Sequence, residues 1–149
     1  MIKQFVPSSV CLECSGCCRF SQRESVWNPQ ALAKEAKALG LKSEKIPLKF
    51  SQSENIFFCV FFQPPDHHCA VYKKRPAECQ LYPFLINRKS GKTYLAVDLN
   101  CPYARRELDS PAFRKYVAYL GKLLIKNHLI SQEYPGVVNL LEIKPCACA

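Results

Sequence analysis

Cys11-Leu12-Glu13-Cys14-Ser15-Gly16-Cys17-Cys18 places four cysteines within eight residues, and how this stretch is read decides what the rest of the chain must build. Two residues separate Cys11 from Cys14, and two separate Cys14 from Cys17. Gaps of that length let neighbouring thiolates approach one metal ion, or adjacent irons of one cluster, while backbone amides turn toward sulfur. Ser15-Gly16 suits the tight turn that a loop wrapping a metal requires. Cys18 follows Cys17 directly, and adjacent side chains rarely converge on one small site. It is expected to point elsewhere.

Four single cysteines follow, at Cys59, Cys69, Cys79 and Cys101. Three cysteines at two-residue spacing, completed by a remote Cys-Pro, is how bacterial ferredoxin-type cubanes are held. Cys101-Pro102 supplies such a closing ligand, and Cys18 could join Cys59, Cys69 and Cys79 in a second site. Zinc is the alternative, since two tetrahedral sites would use the same eight thiolates. A zinc ribbon, however, shows two separated C-x-x-C pairs rather than one dense knuckle and four singletons. The expectation is therefore one or two iron–sulfur clusters, of the 4Fe-4S type, on Cys11, Cys14, Cys17, Cys18, Cys59, Cys69, Cys79 and Cys101. Cys146 and Cys148 lie outside this set, in a tail that could pass metal on.

Compartment decides whether those cysteines are thiols or disulfides. Met1 to Ser8 contains no long apolar run, so no secretory signal is visible, and no window approaches a membrane span. A reducing cytoplasm, where thiols are free to bind metal, is the expectation. The 149 residues make about one domain, and 48% hydrophobic and 11% aromatic content agree with a real core. Ten cysteines are the excess to be explained. The formal charge of +9 omits thiolates; eight of them around two dicationic centres would leave about +5. Much of the basicity is then counter-charge to metal, and a poor argument for nucleic acid.

The expected fold is α+β: residues 1–149 form a small, irregular single domain with two main helices and a short antiparallel sheet around cysteine-ligated metal. The first helix is predicted from Asn28 to Leu39, with Asn28 as N-cap, Pro29 at the first helical position and Gly40 at the stop. Ile56 to Phe62 reads as one buried strand carrying Cys59. Pro76 begins a short helical turn that carries Cys79. Phe84–Asn87 and Thr93–Asp98 read as a hairpin with a five-residue connection around Gly91. Asp109-Ser110 caps a second helix from Pro111 to Asn127, striped by Phe113, Val117, Leu120 and Leu124, with Gly121 an unfavourable residue in its middle. Residues 137–143 could add an edge strand.

C-x-x-C-x-x-C-C, followed by Cys69-x-x-Tyr72-x-x-Arg75-Pro76-x-x-Cys79-x-x-Tyr82-Pro83, resembles the YkgJ-type cysteine-cluster family, the zinc- or iron-chelating CxxCxxCC domain. The likeness runs from Cys11 through Pro102. The family is similar in part to flagellin lysine N-methylase, which carries the same cluster in a longer protein. The resemblance implies metal chelation. By the same analogy, any enzyme here is a cluster-dependent oxidoreductase or a protein N-methyltransferase. It also gives Arg75 a role near the cofactor, offsetting an anionic cluster or holding a carboxylate through its planar fork.

Other residues weigh less. His67 and His68 adjoin Cys69 and could bind metal, but an exposed polar loop accounts for them better. Tyr72 and Tyr82 read as aromatic packing around the site. Lys73-Lys74, Arg105-Arg106 and Arg114-Lys115 could steer an acidic or redox partner, and solvated faces explain them equally well. No phosphate loop, dinucleotide fingerprint or serine-hydrolase elbow is present. Chemistry beyond binding would have to run on the cluster itself.

Overall fold

The computed structural model describes residues 2–14, 16–66, 68–127 and 129–144. The chain is α+β with antiparallel sheets throughout, and its described residues form five α-helices rather than two. It divides into two compact units, Val6–Gln80 and a second made of Ile2–Phe5 with Leu81 onward.

The first unit opens with α1 (Ser8–Glu13), which begins immediately after Pro7. A 3-10 turn (Gly16–Cys18) leads into β1 (Arg19–Phe20). The helix expected from Asn28 is confined to α2 (Ala33–Ala38). Tertiary bonds explain the shortening. The Asn28 side-chain Nδ2 donates to the Ile46 carbonyl at 2.9 Å rather than capping a helix, and Gln30 forms a backbone bridge with Lys45, so the segment is held non-helical. Glu35 instead turns back to accept from the Leu32 amide at 2.9 Å. Gly40 ends the helix at φ +69°, as its sequence position implies.

β2 (Leu48–Ser51) and β3 (Ile56–Cys59) pair with β1 in the order β1-β3-β2. The single strand expected from Ile56 to Phe62 is in fact two. The β2–β3 ladder ends at Leu48 opposite Cys59, and the Val60 amide bonds the Pro47 carbonyl just beyond it. After that turn β4 (Phe62–Gln63) pairs with β5 (His68–Cys69). A 3-10 turn (Tyr72–Lys74) and α3 (Ala77–Leu81), begun after Pro76 as expected, follow. Phe20, Ile46, Phe58, Cys59 and Phe62 form the core, with Cys18 and Cys79 packed against it. Thiols are thus built into the apolar interior of this unit.

The second unit is a three-stranded sheet, β6 (Phe84–Lys89), β7 (Lys92–Val97) and β8 (Val138–Glu142), with α4 (Pro102–Glu107) and α5 (Pro111–Lys126) between β7 and β8 in sequence. The hairpin connection is two residues rather than five: Ser90 and Gly91 both adopt positive φ, 51° and 75°. Such a primed turn matches the natural twist of the flanking strands. Phe84 faces Val97 and Ile86 faces Leu95 across the hairpin. These four meet Phe113, Tyr116, Leu120 and Leu124 of α5 in one core. The Ser110 hydroxyl caps α5 by accepting from the Phe113 amide at 3.0 Å. Gly121, costly for a helix, has a packing reason: a Cβ there would stand 2.7 Å from Leu141 Cδ2 of β8. The edge strand expected over 137–143 is β8. Among the described residues no helix is long and apolar enough to cross a membrane.

Candidate metal centre

Seven of the eight described cysteines belong to the first unit, and Cys101 belongs to the second, where it precedes α4. None of the eight is in a disulfide. The knuckle is not the open loop its spacing suggests. Cys11 lies within α1 and Cys14 terminates it, while Cys17 and Cys18 sit in the 3-10 turn. The turn assigned to Ser15-Gly16 falls partly on Ser15, outside the described residues, as do His67 and the Cys146/Cys148 tail. His68 is exposed on β5, paired with Gln63.

The strands deliver two further thiols by the same local device. Cys59 closes β3, and its sulfur accepts a backbone hydrogen bond from Phe61, two residues on, and another from Phe62. Cys69 closes β5, and its sulfur accepts from the Val71 amide, again two residues on. A strand end followed by a turn aims backbone N–H groups at sulfur, which favours the anionic form that binds metal. Cys79 comes from α3, whose neighbour Glu78 is fixed by accepting from the Gln30 amide.

These thiols sense one another. Cys17 raises the pKa of Cys11, Cys18, Cys59, Cys69 and Cys79, so it is their common neighbour. A hydrogen bond with Cys17, then burial, pushes Cys18 far up, with Cys59 and Cys79 adding to it. Burial is the largest cause at Cys59, Cys69 and Cys79 and also at Cys11. Arg75 opposes the rise at Cys11 and Cys69. The Tyr72 side chain hydrogen-bonds Cys11, where the sequence favoured aromatic packing over a hydroxyl near the site. Cys17 acts on members of both sites of the two-site partition expected from the sequence.

Among the described residues, no three His, Cys, Asp or Glu side chains are drawn into a closed ligand shell. Burial and mutual repulsion disfavour free thiolates at Cys11, Cys18, Cys59, Cys69 and Cys79, and the donor chemistry fits a soft cation. So many sulfurs cannot ionise side by side without a positive charge among them, and a metal supplies that charge while displacing the protons. All the coupled donors are sulfur, the ligand type of zinc, copper(I) and iron–sulfur centres.

A pH dependence follows for the metal-free protein. Cys11, Cys18, Cys59, Cys69 and Cys79 have folded values raised above the ordinary 9.0, so the unfolded chain loses these protons first. Their contribution is fully present below the unfolded value and is lost as pH rises toward the folded one. The slope is at most about 1.4 kcal/mol per pH unit for each thiol. The urea midpoint of metal-free protein is therefore expected to fall between about pH 8 and 10, while that of metal-loaded protein, whose thiols are already ionised when folded, rises until the unfolded thiols ionise as well. Parallel curves for the two forms would contradict this account.

No curated protein and no solved structure matches the chain. One family does, CxxCxxCC, whose description is "Putative zinc- or iron-chelating domain", and its pattern matches residues 10–102. The match takes in every cysteine from Cys11 to Cys101 and covers more than half of the chain. Metal binding is thus supported by the family pattern. The chain belongs to the CxxCxxCC family of zinc- or iron-chelating domains.

Proposed function

We propose that the thiol group holds iron–sulfur and that the protein transfers electrons. The observation that carries this reading is the number of sulfurs around Cys17. With Cys11, Cys18, Cys59, Cys69 and Cys79 it makes six coupled thiols, more than the four that one structural zinc takes. A polynuclear centre, or two centres close together, uses that excess. Cys14, exposed at the end of α1, is the further donor in the same unit. Cys101 keeps its candidacy on its place in the sequence pattern.

An iron–sulfur centre supplies one-electron chemistry, and the protein's part is to set its potential. The Phe61, Phe62 and Val71 amides that reach sulfur, together with the Arg75 cation, would do so by stabilising negative charge on the ligands. A cytoplasmic setting keeps the thiols reduced for loading. Exposed Lys73 and Lys74, four to five residues beyond Cys69, suit an acidic redox partner.

Anaerobic purification followed by iron and acid-labile sulfide analysis tests the reading. Iron and sulfide in near-equal amounts, with charge-transfer absorption in the visible, are expected. Stoichiometric zinc without sulfide would overturn it.

A further inference from the structure

The sheet of the second unit has two edges, and the chain treats them differently. Outside β6, the Arg88 amide donates to the Gln132 carbonyl at 2.9 Å, and the Gln132 amide donates to the Ile86 carbonyl at 3.3 Å. The Tyr134 amide donates to Asn87 Oδ1 at 2.9 Å. That edge is closed. Among the described residues β8 pairs with β7 alone, which leaves its outer N–H and C=O groups without a ladder. Proteins blunt such edges with lysine, proline or an inward-pointing charge. Val138-Asn139-Leu140-Leu141-Glu142 has no lysine or proline, and its one charge is held by Lys92 at 3.4 Å.

The strand also carries a bulge. Leu141 stands opposite Leu95 and Asn139 opposite Ala96, so Leu140 is the extra residue. The bulge brings Val138 and Leu141, three residues apart, onto one side of the sheet. They face Val97 and Leu95, which belong to the core shared with α5. Leu141 reaches the helix at Gly121, and Ile125 stands one turn further along the same helix face. Yet Val138, Leu141 and Ile125 remain 40%, 42% and 52% exposed. They line an apolar strip beside the open edge.

The rim of this strip is cationic. Lys122 and Lys126 follow Gly121 and Ile125 on α5, Lys144 follows β8, and all three are exposed. Helix α5 carries no acidic residue. A two-fold contact with a second copy would set this positive rim against itself. A lipid surface offers no partner to open backbone groups. An extended peptide segment does, and carboxylates between its apolar side chains meet the lysines.

We infer that the β8 edge docks an acidic, extended segment of a partner protein. The segment adds as a fourth strand and lays alternate apolar side chains on Val138, Leu141 and Ile125. The inference is independent of the metal centre and of which metal it holds.

A fluorescent synthetic peptide alternating glutamate and valine, titrated with full-length protein, tests the docking by anisotropy. Saturable binding is expected, together with new protection of Val138–Glu142 from hydrogen exchange, read by mass spectrometry. N-methylation of alternate peptide amides removes the ladder donors and is expected to abolish binding, a readout that needs no protein variant. Lysine in place of glutamate in the peptide is expected to abolish it too. Ile125→Glu, at an exposed helix position, is expected to weaken binding by about tenfold, and Lys122→Glu combined with Lys126→Glu by a similar factor. Absence of binding at about 1 mM peptide would overturn the inference. So would equal binding of the N-methylated or lysine peptide, or wild-type affinity in folded Ile125→Glu protein. Protection of Val138–Glu142 without peptide would overturn it as well, assigning the edge to a second copy if it grows with protein concentration and to the chain itself if it does not.

Discussion

Replacing Cys17 with serine is expected to strip the protein of its metal. Cys17 is the one thiol that acts on Cys11, Cys18, Cys59, Cys69 and Cys79 alike, so any centre held by this group needs it. Four-ligand thiolate sites bind zinc with about 10–16 kcal/mol in total, so one ligand accounts for about 2.5–4 kcal/mol. That is a loss of two to three orders of magnitude in affinity at roughly 1.4 kcal/mol per decade. Metal-to-protein ratio after gel filtration, by elemental analysis, measures it. Serine nearly keeps the size of the side chain, so the loss reports ligation rather than packing. A Cys17→Ser protein carrying wild-type metal would remove the thiol hub from consideration.

The second large effect is expected at Phe84→Ala. Phe84 is 1% exposed, and its ring meets those of Phe5, Phe113 and Tyr116 at centroid distances of 5.5, 5.3 and 5.1 Å. These are the edge-on and tilted geometries that aromatic pairs favour. Truncation removes one side of three such pairs and leaves a cavity between β6 and α5, for about 3–5 kcal/mol. Against a typical total of about 5–15 kcal/mol this takes much of the unit's stability. Urea unfolding followed by near-ultraviolet circular dichroism reads it through the second unit's tyrosines. A loss under about 1 kcal/mol would mean that the aromatic cluster repacks and is not the centre of that core.

What the sequence disclosed was whatever local chemistry alone decides. Ser110-Pro111 announced α5, because a hydroxyl cap and a proline at the first turn are satisfied within four residues. Asn28-Pro29 announced a helix equally well and does not start one, because the Asn28 side chain, instead of capping, donates to the Ile46 carbonyl eighteen residues on. Ile56 to Phe62 looked like one strand since hydrophobic runs carry no mark of where a partner strand stops; Pro47, on the neighbouring chain segment, sets the break at Val60. The cysteines were legible as ligand types. Their grouping was not, because it depends on which strand ends and helix turns meet in space, and the shared position of Cys17 has no signature in spacing. Tyr72 was read as packing because a tyrosine's hydroxyl partner, here Ser8 and Cys11, lies more than sixty residues away.

The Ser90-Gly91 turn also fixes an order of events during assembly. A hairpin joined by two residues closes in about 1–10 μs, while β8 must return to β7 across roughly 40 intervening residues and pays loop-closure entropy for the journey. The β6–β7 ribbon is therefore ready as a template, one edge still waiting, before its third member arrives.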